Sequence, residues 1–184
     1  MATAGWRASY PFVRIPAPQG AREQGFEFIL TPIVKIEIAN LEQRERFFAV
    51  VDSGADYSYL PSEAAQLLGL DAASLTGSTV ENRGIGATVE SRFATLGVSL
   101  LGEHEEPETT LEIPFLVPVH PDPESRVVLL GRHPFFRLFD VRFRMGYTDD
   151  PTLGKWSLER VVKRRDSRRY WKPAAFPRPA NGRP

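Results

Sequence analysis

The sequence predicts a mostly β protein, all-β apart from two short helices, with one domain per chain. Two observations carry this. From residue 28 onward, short runs either alternate apolar and polar residues or are wholly apolar, and turn residues separate them. Only two stretches, near 62–68 and 132–139, space their apolar residues as a helix would. With 184 residues the chain suits one domain plus tails, and a core of that size buries roughly two-thirds of the unfolded surface without staples. Cysteine is absent, which excludes disulfides and a thiol nucleophile.

Residues 1–27 mix Pro, Gly and isolated aromatics without a period and are expected to form an N-terminal arm. In "FEFILTPIVKIEIANLEQRERFFAVVDSG", Ile33, Lys35 and Glu37 alternate with Val34, Ile36 and Ile38. A polar turn from Asn40 to Glu45 then leads into a second strand, Arg46 to Val51, so a hairpin is predicted. "LPSEAAQLLGL" predicts the first helix, with Ser62 as N-cap and Gly69 as stop. "TGSTVENRGIGATVESRFATLGVSL" predicts two β arms about a glycine-bearing tip at Gly84, Ile85 and Gly86.

After an acidic turn at 101–108, Pro114 and Pro118 should confine "TTLEIPFLVPV" to a sheet edge or break it. "RVVLLG" reads as a short buried strand, "RHPFFRLF" as the second helix, "DVRFRM" as a strand and "KWSLERVV" as a closing strand. From Arg160 to Lys172 the chain carries seven Lys or Arg, and "PAAFPRPANGRP" beyond is expected to be unstructured. The domain is therefore expected at 28–162, followed by a basic, Pro-rich tail at 163–184.

Charge and hydropathy narrow the partners. Twenty-three basic against 23 acidic residues leave no overall field to recruit nucleic acid or an anionic membrane. No apolar stretch approaches the roughly 18 residues of a spanning helix, and the N-terminus lacks the apolar region of a secretion signal. A cytoplasmic protein without a membrane partner is expected. The basic tail, with Tyr170 and Trp171 able to stack on bases, keeps one alternative open: a nucleic-acid-binding accessory protein.

The chemically telling stretch is "FFAVVDSGADYSYLP", an apolar strand that ends in Asp52. A carboxylate there is costly to desolvate unless it is hydrogen-bonded, paired or put to use. Asp-Ser-Gly is also ordinary turn chemistry, and a strand-end turn would account for it alone. No metal is expected: Asp52, Ser53 and Asp56 lack the alternating ligands of a calcium loop, and His104, His120 and His133 have no ligand spacing. Ser53 sits in no G-x-S-x-G elbow.

Three motifs in order, "VVDSGAD", "RGIGA" and "VVLLGRHPFFRLFDVRF", resemble the retropepsin-like aspartic proteases, in their cellular single-domain branch, over about residues 28 to 145. The resemblance implies a closed β-barrel with a glycine-tipped flap and no cofactor. It implies a homodimer acting on a peptide or protein substrate, in which Asp52 of each chain supplies half of the catalytic pair. Ser53 would brace the two backbones beneath that pair, and Gly54 would admit the substrate backbone. Ala55 completes the motif, Asp56 and Arg132 would form an ion pair within each chain, and Gly84, Ile85 and Gly86 would tip the flap.

This chain departs from the viral pattern in three ways. Thr31 stands before Pro32, where the viral enzymes carry an arginine that bridges the dimer. A helix is added between the aspartate and the flap, and the chain continues for some 39 residues past "DVRFRM", so that "KWSLERVV" is a candidate for a different dimer interface. These departures leave a second reading open, a retropepsin-like module that binds peptide or dimerises with little turnover.

Overall fold

In chain order, a computed structural model, which describes residues 7–83, 88–102, 107–121, 126–145 and 154–160, begins with β1 (Arg7–Pro11), β2 (Val13–Pro16), α1 (Gln19–Arg22), β3 (Phe28–Thr31), β4 (Ile33–Asn40) and β5 (Gln43–Val51). There follow β6 (Ser58–Tyr59), α2 (Ser62–Leu67), β7 (Val80–Arg83), β8 (Thr88–Leu101) and β9 (Pro107–Pro118). The remainder is β10 (Val128–Leu130), α3 (Phe135–Leu138), β11 (Phe139–Met145) and β12 (Gly154–Arg160). Gly84, Ile85, Gly86, His104 and the tail from residue 161 lie outside the described residues.

Six strands close on themselves in the order β4, β5, β10, β6, β9, β8, because β4 pairs with both β5 and β8; β7 hangs from the outer edge of β8. The reason lies in the pattern of β4. Val34, Ile36 and Ile38 are buried on one face, so the strand must present that face to a core while its backbone pairs on both sides. Ile113, Phe115, Val98 and Leu100 fill the same core from β9 and β8.

The predicted hairpin at 33–51 is present, with a tighter turn than expected. Leu41 and Glu42 alone connect Asn40 to Gln43, and Leu41 takes a positive φ of 55°. β5 alternates rather than sinking as a whole: Ala49 and Val51 are buried, while Phe48 is exposed beneath the Lys35 ammonium. In α2, Pro61 occupies the N-cap and Ser62 opens the helix, since the fixed φ of proline already suits helix entry. Gly69 ends it as predicted, at φ 65°.

Two expectations are corrected by tertiary pairing. β9 is not an edge strand: it pairs with β8 along its length and with β6 at Phe115 and Leu116. Pro114 is tolerated because β6 is only two residues long and reaches β9 just beyond it. Residues 7–27 of the expected arm are not aperiodic: they carry two strands and a third short helix, with β1 on β12 and β2 on β3, and Phe12 is buried in the core. Finally, β12 lies between β1 and β11, so both of its backbone edges are used within one chain. Trp156 and Leu158 of β12 are fully buried there, with Trp156 stacked on Tyr10.

Candidate active site

Asp52 follows the last residue of β5 and begins a turn. Its backbone N–H donates to the carbonyl of Leu130 at 3.0 Å, which ties the strand end to β10. β10 runs parallel to β5, with Leu129 opposite Val50 and Leu130 opposite Val51. Val51 and Leu130 are buried beneath the site, and Val50 and Leu129 are half-buried. The carboxylate is half-exposed, and its Oδ1 accepts the Gly54 N–H at 2.7 Å. This local turn aims the carboxylate at the loop's own backbone and holds one oxygen still. Ser53 and Gly54 are exposed and Ala55 half-buried.

The loop beyond is clamped by the segment after β10. Arg132 N–H donates to the Ala55 carbonyl and His133 N–H to the Asp56 carbonyl, both at 2.8 Å. The Arg132 guanidinium is ion-paired with the Asp56 carboxylate, bringing together two residues 76 positions apart that the sequence had coupled only by resemblance. Both partners are largely exposed, at 53% and 65%, so the pair contributes at most about 1 kcal/mol in an isolated chain. The backbone bonds and packing do most of the holding.

Gly131 is the tightest point of the clamp. A Cβ built on it would fall inside contact with the Tyr57 carbonyl and 3.0 Å from the Ala55 carbonyl oxygen, so only glycine lets the two segments cross this closely. Its N–H donates to Ser58 Oγ at 3.2 Å, in a fully buried position. Ser58 was missed by the sequence reading. A serine in a run of Tyr, Ser and Tyr carries no signal of its own, because the partner that makes it necessary lies 73 residues away.

Arg92 is a second unforeseen residue. From β8 its Nη1 donates to the carbonyls of Ala73 and Leu75 at 2.8 and 2.9 Å, pinning the loop that leads from α2 to β7. β7 and β8 form the two arms of the expected flap, with Arg83 opposite Thr88. His120 is exposed and His133 half-buried against Tyr57, and no group of three or more potential metal ligands occurs among the described residues. Among them, no helix is long and apolar enough to cross a membrane.

No protein-family model and no curated protein matches the chain. Among solved structures, the chain is similar to a retropepsin-like aspartic protease from Rickettsia conorii, with 18% identity, a TM-score of 0.49 and coverage of 86% of this chain and 95% of that one. It is also similar to EIAV protease complexed with an inhibitor, with 21% identity, a TM-score of 0.36 and coverage of 59% and 88%. A fold hosts many chemistries, so what this chain does has to be read from its own site.

Proposed function

We propose that the protein is an aspartic endopeptidase in which two copies each contribute Asp52 to one active site. The observation that carries this is a half-exposed carboxylate at the end of a buried strand, held by its own loop and by β10. One carboxylate cannot serve as acid and base at once. Two can, if a symmetry mate supplies the other.

Two carboxylates about 4 Å apart repel by roughly 4 kcal/mol at an effective dielectric near 20, which favours a single proton shared between them. The ionised member takes a proton from a bound water as the water attacks the scissile carbonyl, and the protonated member donates to the carbonyl oxygen. Ser53, exposed next to Asp52, suits a bond across the dimer, and Gly54 suits close approach of an extended peptide. The β7–β8 hairpin, with Gly84, Ile85 and Gly86 at its tip, would cover that peptide and exclude water.

The test is Asp52→Asn in full-length protein, followed by sedimentation and by cleavage of a diverse peptide library across the acid to neutral range. The variant is expected to associate as the wild type does and to lose cleavage by about a thousandfold or more. Full cleavage by a dimeric Asp52→Asn protein would refute the chemistry. A wild-type dimer that binds peptides and cuts none would favour the peptide-binding module instead.

A further inference from the structure

The sheet that carries Asp52 has a second apolar face. Residues paired in register share a face, and the pairs Val50–Leu129, Leu129–Tyr59, Tyr59–Leu116 and Leu116–Phe93 run in one row across β5, β10, β6, β9 and β8. Their chain neighbours Val51, Leu130, Phe115 and Ala94 belong to the core, so the row lies on the opposite side. Tyr59 and Leu116 are buried in the middle of the row, whereas Phe93 at its far end is 37% exposed.

Tyr57 stands beside that row, level with Asp52. β6 runs antiparallel to β10 and β10 parallel to β5, so two steps on from Tyr59, Leu129 and Val50 bring Tyr57, Gly131 and Asp52 side by side. The close approach of Gly131 to the Tyr57 carbonyl and the bond from the Asp52 N–H to Leu130 give the same order. Two strand spacings, about 10 Å, therefore separate the backbones of Asp52 and Tyr57. The Tyr57 ring meets Phe93 edge to face at 5.2 Å and His133 at 6.0 Å, yet Tyr57 stays 41% exposed. Two rings that hold each other in place and still show apolar surface, level with the acid, offer a wall on which a third ring can pack.

An extended peptide that crosses the strand ends at Asp52 rises about 3.3 Å per residue, so it reaches Tyr57 about three residues from the bond to be cut. We propose that Tyr57 and Phe93 determine specificity by forming a subsite for an aromatic side chain of the substrate, about three residues from the scissile bond. A ring suits this wall better than a charged side chain, because the row from Val50 to Phe93 holds no charge to meet one. The proposal deepens the peptidase reading and rests on it in one respect, that a peptide lies over Asp52.

The test gives full-length protein a peptide library in which Phe, Leu and Ala are scanned through the positions flanking the cleaved bond, with kcat/KM read by mass spectrometry. Wild type should favour Phe over Ala at one position by about tenfold, with Leu between them, and Tyr57→Ala or Phe93→Ala should bring that ratio close to one. A merely structural role would slow cleavage of every peptide alike and leave the ratio intact, which would overturn the proposal, as would a wild type that favours Phe at no position. Circular dichroism checks folding; should Phe93→Ala unfold, Phe93→Leu, which keeps bulk and loses the ring, decides by the same ratio. Binding of the same peptides to Asp52→Asn protein, followed by fluorescence anisotropy, separates this subsite from the chemistry. A Phe preference in binding that is lost when Phe93→Ala is added, with no cleavage by wild type, upholds the subsite and sinks the peptidase reading. Cleavage without a Phe preference does the reverse, and a protein that neither binds nor cuts any peptide sinks both.

Discussion

Replacing Gly131 by alanine should damage the fold more than any other single-methyl change near the site. The new Cβ would overlap the Tyr57 carbonyl and stand 3.0 Å from the Ala55 carbonyl oxygen, where ordinary contact begins at 3.4 Å. Neither neighbour can retreat freely, because Ala55 and Asp56 carbonyls are held by the Arg132 and His133 N–H groups at 2.8 Å. Overpacking of this kind costs about 1–3 kcal/mol, and losing two backbone hydrogen bonds adds about 1 kcal/mol each, for roughly 3–5 kcal/mol in all. Urea denaturation followed by tryptophan fluorescence measures it, Trp156 being buried in the core. Cleavage should fall as well, because the same displacement moves the loop that orients Asp52. A Gly131→Ala protein less than about 1 kcal/mol weaker than wild type would show that the two segments do not cross as closely as the clamp requires.

Three further outcomes follow from the same contacts. Ser58→Ala leaves the buried Gly131 N–H without its hydroxyl acceptor and should cost about 1–3 kcal/mol in denaturant titrations, with Ser58→Thr retaining more of the stability. Arg132→Gln removes an exposed ion pair but not the Arg132 backbone bond to Ala55, so under dissociating conditions it should cost less than about 1 kcal/mol, a loss that diminishes further in high salt. Arg92→Met frees the carbonyls of Ala73 and Leu75 and should speed hydrogen exchange in residues 72–76 while leaving the β8–β9 ladder protected; unchanged exchange in that loop would show that Arg92 does not pin it.

Local order was legible where the chain speaks for itself. The alternation from Ile33 to Ile38 marked β4, Gly69 marked the end of α2, and the break after Val51 marked Asp52 as the residue to explain. The β strands of residues 7–16 were invisible because their period is too short to stand out from the prolines around them, and they exist by pairing with β12 and β3. β9 is expected from sequence at an edge or broken because Pro114 forbids a ladder bond on one side, and the sequence does not say that the neighbouring strand stops short of it.

By itself, the sequence determined the elements whose side chains alternate against a core, and the one acid set at the end of an apolar strand. Periodicity is a property of neighbours along the chain, so it survives without knowledge of the fold. What only the tertiary structure decided is which distant segments meet: β10 beside β5, Gly131 against Tyr57, Ser58 beneath Gly131, and Pro32 against Val51. Those contacts join residues dozens of positions apart, and their energies depend on packing distances that no local pattern encodes.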